Sequence, residues 1–194
     1  MYFLLLFLVA FVIFSLVTTN WPVKIYHHYL LKQLGLVLHS EPQRNGLVFA
    51  GADSQIVTIY RGRDIKIRFL EGASGALRSN PGLEIRLKAP SPVVLGIYSR
   101  RHNQQEWGDF KRFQTGDALI DSQWSILTDN LQSAAGFWEN RKLAPLLTGD
   151  HYLEQMQVNH DETIVCLRRF HSPGKVIAFL DGLCESIPSP TGAI

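Results

Sequence analysis

The stretch Gln55-Ile56-Val57-Thr58-Ile59-Tyr60-Arg61-Gly62-Arg63-Asp64-Ile65-Lys66-Ile67-Arg68-Phe69 decides the fold class. Residues 56–60 are β-branched or aromatic, Arg61-Gly62 makes a turn, and Ile65, Ile67 and Phe69 then alternate with Lys66 and Arg68. Successive side chains of a strand point to opposite faces, so the pattern predicts strands with one buried and one charged face. Leu83, Ile85 and Leu87 alternate in the same way with Glu84, Arg86 and Lys88. The intervening residues 72–82, rich in Gly, Ser, Asn and Pro, read as a loop.

Downstream, Pro92 introduces residues 93–98, whose continuous apolar character suits a strand covered on both faces. A polar segment, 109–121, precedes a short strand at 123–127. Asp129 is placed to cap a helix with Gln132 in the box position, and Leu131, Ala134, Ala135 and Trp138 form its stripe, ending near Pro145. Strands are expected at 152–158 and 163–170. Ser172-Pro173 starts the strongest helical face, Val176, Ile177, Leu180, Leu183, Cys184 and Ile187, which Pro188 and Pro190 end. The chain thus reads as α+β, a mainly antiparallel sheet with amphipathic helices packed on it over residues 40–190, in one core or two lobes.

Upstream, residues 40–46 read as a loop. Before it, Pro22 suits a first helical turn, and Val23, Tyr26, Leu30, Leu34 and Val37 recur at three and four, with Leu31 and Leu38 widening the stripe. This predicts an amphipathic connector helix over 22–39. Residues 1–23 contain no Asp, Glu, Lys, Arg or His, and residues 2–17 are apolar except Ser15. A span needs about 20 apolar residues, so residues 1–21 are expected to form a transmembrane helix. Phe3, Leu4, Leu5, Leu6, Phe7, Leu8, Phe11 and Phe14 would sit in lipid, with Trp21 at the headgroups. A cleaved signal peptide would carry basic residues ahead of its apolar run, and none precedes Lys24. Lys24, Lys32 and Arg44 all follow the run, which predicts a single-pass protein of the cell membrane with a cytoplasmic body.

The segment Phe113-Gln114-Thr115-Gly116-Asp117-Ala118-Leu119-Ile120-Asp121, followed by a short strand, a helix, two strands and a terminal amphipathic helix, resembles a large uncharacterised bacterial family. Its members join an N-terminal membrane segment to a cytoplasmic α+β domain with a similar Thr-Gly-Asp, hydrophobic residue, Asp signature. The resemblance spans roughly residues 30–187, with Ile120 where an aromatic residue is more usual. It implies a membrane-tethered domain and no particular reaction, cofactor or ligand. Asp117 and Asp121 are the matching positions, expected as capping and turn residues.

The 194-residue chain carries a net charge of +2, unevenly spread. Residues 61–101 hold nine Lys or Arg against three acids, and residues 102–194 hold seven against twelve. The basic block makes Arg61, Arg63, Lys66, Arg68, Arg86 and Lys88 candidate contacts to an anionic surface, lipid headgroups being the nearest for a tethered domain. Tyr60 and Phe69 beside these cations alternate onto the core face, and no nucleic-acid motif accompanies them, so no nucleic-acid partner is expected.

Catalytic and metal signatures are weak. His27 and His28 diverge on a helix, and His39, His102, His151, His160 and His171 stand singly, without metal-ligand spacing. Cys166 and Cys184 read as buried small hydrophobes, with a disulfide as the alternative. The triplets at 115–117 and 148–150 read as turns, and carboxylate pairs such as Asp161-Glu162 as solvated caps. No catalytic residue, cofactor or metal is assigned. The sequence reads as a non-enzymatic interaction or accessory domain that meets membrane lipid and a membrane-protein partner, with Trp124, Phe137 and Trp138 as anchors wherever they are exposed. The alternatives are a peripheral anionic-lipid-sensing domain and a membrane-bound enzyme of unrecognised type.

Overall fold

Strand pairing begins with the hairpin of residues 55–69 and extends across a nine-stranded, wholly antiparallel sheet. The structure, a computed structural model, describes residues 2–18, 21–40, 43–44, 54–70, 82–100, 109–140, 143–149, 153–168 and 172–187. In chain order these form α1 (Tyr2–Thr18), α2 (Trp21–Val37), β1 (Gln43–Arg44), β2 (Ser54–Tyr60), β3 (Arg63–Leu70), β4 (Gly82–Lys88) and β5 (Leu95–Ser99). There follow β6 (Lys111–Phe113), α3 (Ala118–Gln123), β7 (Trp124–Thr128), α4 (Leu131–Asn140), α5 (Ala144–Thr148), β8 (Leu153–Val158), β9 (Glu162–Arg168) and α6 (Pro173–Ser186). The spatial order is β1-β2-β3-β4-β9-β8-β5-β7-β6, so the C-terminal hairpin fills the centre of the sheet.

The β2–β3 turn has positive φ at both Arg61 (48°) and Gly62 (75°), the backbone hand that matches strand twist in a two-residue hairpin. From it the register carries one apolar row through eight strands: Ile56, Ile67, Ile85, Val165, Met156, Ile97, Ile126 and Phe113 are successive partners. All but Phe113 are buried. The period of two places each of these side chains on one face, and the helices cover that face.

Side-chain contacts show how. His27 of α2 stacks on Phe69 of β3 with ring centroids 3.8 Å apart. The Tyr60 hydroxyl of β2 donates to Asp181 of α6 at 2.7 Å. Trp124 Nε1 of β7 donates to the Leu147 carbonyl of α5 at 3.1 Å, and Trp138 of α4 packs on Phe113 of β6. Leu30, Leu31, Leu34 and Leu38 are buried, so α2 is a working part of the core, which reaches N-terminal of residue 40. Cap chemistry starts α6 where the sequence predicts: the Ser172 hydroxyl accepts from the Lys175 N–H and Pro173 opens the helix.

Several expectations need correction. Of the transmembrane helix expected over 1–21, the structure describes residues 2–18, all in α1, and Trp21. α1 is 17 residues long, about 26 Å at 1.5 Å per residue. Among the described residues no helix is long and apolar enough to cross a membrane. Trp21 is the first described residue of α2. On α2, Val37 is exposed while His27 is buried. The 40–46 loop contains β1, and the Ser40 hydroxyl donates to the Val57 carbonyl beside the edge of β2. The 109–121 segment contains β6 and the start of α3, and α5 forms around Pro145. The cap of α4 is Asn130, whose Oδ1 accepts from the Gln132 and Ser133 N–H groups. Asp129 turns back to accept from the Val94 N–H and the Thr128 hydroxyl. Of the loop predicted over 72–82, Gly82 opens β4 and the rest lies outside the described residues, as do His102, His151, His171, Asp150, Pro188 and Pro190.

Candidate functional site

The described helices leave one sheet face without them, and that face carries the charged residues of the alternating strands. Glu84 of β4 lies at its centre, only 5% exposed. Arg68 grips it from β3 with two hydrogen bonds, Nε to Oε1 at 2.7 Å and Nη2 to Oε2 at 3.1 Å. Arg86 adds Nε to Oε1 at 2.7 Å and reaches Glu162 of β9 at 3.4 Å. Burial, the largest influence, pushes the Glu84 carboxyl up, but the hydrogen bonds and charges of the two guanidiniums outweigh it and hold it below its ordinary value.

The remaining predicted cations divide. Lys88 lies 3.5 Å from Asp64, both well exposed, an arrangement of little energetic consequence. Arg61 bonds Asp181 at 2.7 Å and Glu185 at 3.2 Å, tying the hairpin tip to α6. Lys66 is half-buried and has no ion pair among the described residues. Arg63 is buried on the helix-covered face, and its Nη1 has no hydrogen-bond partner among the described residues. The basic block of the sequence therefore meets the acidic block in space at Arg61 and Arg86, and much of its charge is matched locally.

Beside this ladder, Gln157 Nε2 donates to the Tyr98 hydroxyl at 3.2 Å, and the Tyr98 ring lies over Gly96, where a Cβ would meet Cε2 at 2.7 Å. Cys166 pairs in register with Glu84. Burial, with Glu84 and Glu154 adding to it, pushes its thiol up to about 12, so it is protonated at neutral pH and a poor nucleophile. Cys184 is also a free thiol, raised chiefly by burial. Among the described residues no group of three His, Cys, Asp or Glu could hold a metal ion.

The Thr115-Gly116-Asp117 triplet is a closed turn. Its amides, which an external anion would need, are already engaged: Asp121 Oδ1 accepts from the Thr115 N–H and hydroxyl at 3.0 Å and Oδ2 from the Gly116 N–H at 3.2 Å, while the Asp117 N–H donates to Thr115 Oγ1 at 3.1 Å. Asp117 caps α3 by accepting from Leu119 N–H at 2.9 Å and Ile120 N–H at 3.3 Å. Trp124 and Phe137 are buried and Trp138 is partly buried, so their main role is packing.

Among the described residues the most exposed apolar surface lies on α1. Phe3, Leu4, Leu5, Leu6, Phe7, Leu8, Phe11 and Phe14 are each more than half exposed and surround the helix. The side chain of Trp21 lies outside what the structure describes. A surface of this kind on a folded protein marks contact with lipid or with another protein.

No protein-family model matches the chain, and no curated protein matches it in sequence. In three dimensions it is similar to the crystal structure of the mycobacterial trehalose monomycolate transport factor A, TtfA, with a TM-score of 0.56 and 15% identity over 84% of this chain and 97% of that one. At that identity the two share a fold, and the likeness extends over almost the whole of the transport factor's resolved chain.

Proposed function

We propose that this protein is a membrane-held, non-enzymatic accessory domain that binds a protein of a larger membrane complex, with α1 in the bilayer and the sheet domain on the cytoplasmic side. The observation that carries this reading is α1: apolar on every side, exposed, and leading within a few residues into a helix built into the core. Apolar surface costs about 25 cal/mol per Å² in water, so α1 is stable only when covered, and lipid covers all sides of a helix at once. Lys24, Lys32 and Arg44 on its C-terminal side support the cytoplasmic placement. The fold shared with a transport factor is consistent with an accessory role beside a membrane machine.

The test is purification of the intact protein from its native membranes. Alkaline carbonate should leave it in the pellet, and mild detergent should release it together with a defined partner. Release into the aqueous fraction, or a solitary monomer after gentle solubilisation, would sink the proposal.

A further inference from the structure

α2 has two apolar faces. Leu30, Leu31, Leu34 and Leu38 face the sheet and are buried. The opposite side carries Ile25, Tyr29, Lys32 and Leu36, spaced by four, three and four. At 3.6 residues per turn these four fall within about 60° of arc, roughly opposite Leu34. Ile25, Tyr29 and Leu36 are 60%, 57% and 63% exposed, and Lys32 and His28 are exposed beside them. Single exposed hydrophobes are ordinary, whereas a stripe kept over three turns marks a surface that is covered in use.

Charge identifies the cover. Residues 1–40 contain Lys24 and Lys32 and no Asp or Glu, the first acid being Glu41. An apolar stripe with basic residues and no acid on its helix complements an anionic lipid surface, where lysine stems lie along the acyl boundary and their ammonium groups reach the phosphates. α1, immediately before it, is apolar on all sides.

We propose that the outward stripe of α2 lies in the headgroup–acyl boundary of an anionic lipid surface, so that the domain rests on the bilayer through Ile25, Tyr29 and Leu36 with Lys32 on the phosphates. This rests on the reading that α1 is held in lipid. It fixes an orientation as well: the Arg68–Glu84–Arg86 face lies on the far side of the sheet from α2 and is turned away from the bilayer, open to a protein partner.

The experiment places an environment-sensitive fluorophore on the full chain in vesicles of phosphatidylcholine and phosphatidylglycerol, one site at a time, through Ile25→Cys, Tyr29→Cys, Leu36→Cys, Ile59→Cys and Phe7→Cys. All five positions are exposed, so the label does not enter the core. At Ile25, Tyr29 and Leu36 a depth of about 5–10 Å predicts quenching by lipids spin-labelled near the headgroup, weaker quenching by lipids labelled at the chain end, and poor access to aqueous iodide. At Ile59, on the open face, only iodide should quench. The inference is overturned when α2 labels are quenched by iodide alone while the Phe7 label is quenched by lipid, because α1 is then in the membrane and α2 is not on it. Shielding of the α2 labels from both iodide and lipid means a protein covers the stripe and also overturns it. A Phe7 label open to iodide removes the underlying membrane reading itself.

Discussion

Glu84 shows how a single carboxylate can hold a sheet face together and still leave a pH signature. Its folded pKa is lowered, so its contribution is present above the unfolded value of about 4.5 and is lost as pH falls through the folded value. The urea midpoint should therefore be level near neutrality and decline below about pH 4.5. Glu84→Gln should cost about 2 kcal/mol at neutral pH, a figure reduced from that of a fully buried pair because both arginines are about a third exposed, and should flatten the acid limb. An unchanged acid limb in the variant would show that other carboxylates set it. Arg63 makes the opposite case. Its buried Nη1, without a partner among the described residues, is a desolvated donor, so Arg63→Met should be neutral or stabilise by about 1 kcal/mol in the same titration. A loss above about 2 kcal/mol would mean the guanidinium has an acceptor. The two thiols predict a kinetic result: a disulfide-exchange reagent at pH 8 should count both cysteines rapidly only in denaturant, with slow reaction in the native state. One or no thiol in denaturant would mean that they pair.

At the scale of elements, the α3 turn offers a graded test. Asp117→Ala removes an N-cap and should cost about 1 kcal/mol, and Asp121→Ala, which strands the Thr115 and Gly116 amides, about 2 kcal/mol, both read as urea midpoint shifts at constant slope. Equal or negligible losses would mean that the turn holds without these bonds. What the sequence reveals of such elements depends on how many residues repeat a pattern. The strands of residues 54–70 and 82–88 are long enough for alternation to show, and Ser172-Pro173 marks α6 with two independent signals. β6 has three residues and α5 five, too few for either period to register. Asp129 and Asn130 are both capable caps, and only the backbone path after β7 decides between them. The exposed stripe Ile25, Tyr29 and Leu36 is not legible in the sequence because α2 is apolar on two faces, which blurs the single stripe by which such helices are read. The partners of the basic residues were equally unreadable, since Arg61 meets Asp181 and Glu185 from more than a hundred positions away.

For the molecule as a whole, α1 and α2 should separate cleanly under truncation. Removing residues 1–20 leaves the core intact, and the product should unfold cooperatively by circular dichroism. Removing residues 1–40 also takes away Leu30, Leu31, Leu34 and Leu38, each worth about 2–5 kcal/mol, against a total stability of about 5–15 kcal/mol, and that product should not fold. A cooperative transition in the shorter chain would mean that the sheet and α6 suffice. The sheet order has a last consequence for biosynthesis. The leucines of α2 leave the ribosome well before the central strands β8 and β9 and the helix α6 that α2 touches. At about 5–20 residues per second, the interval is about 10–30 s. Throughout it the leucine side of α2 can pack only on the early hairpin of β2 and β3, and the rest of that side stays uncovered until α6 arrives to close the fold.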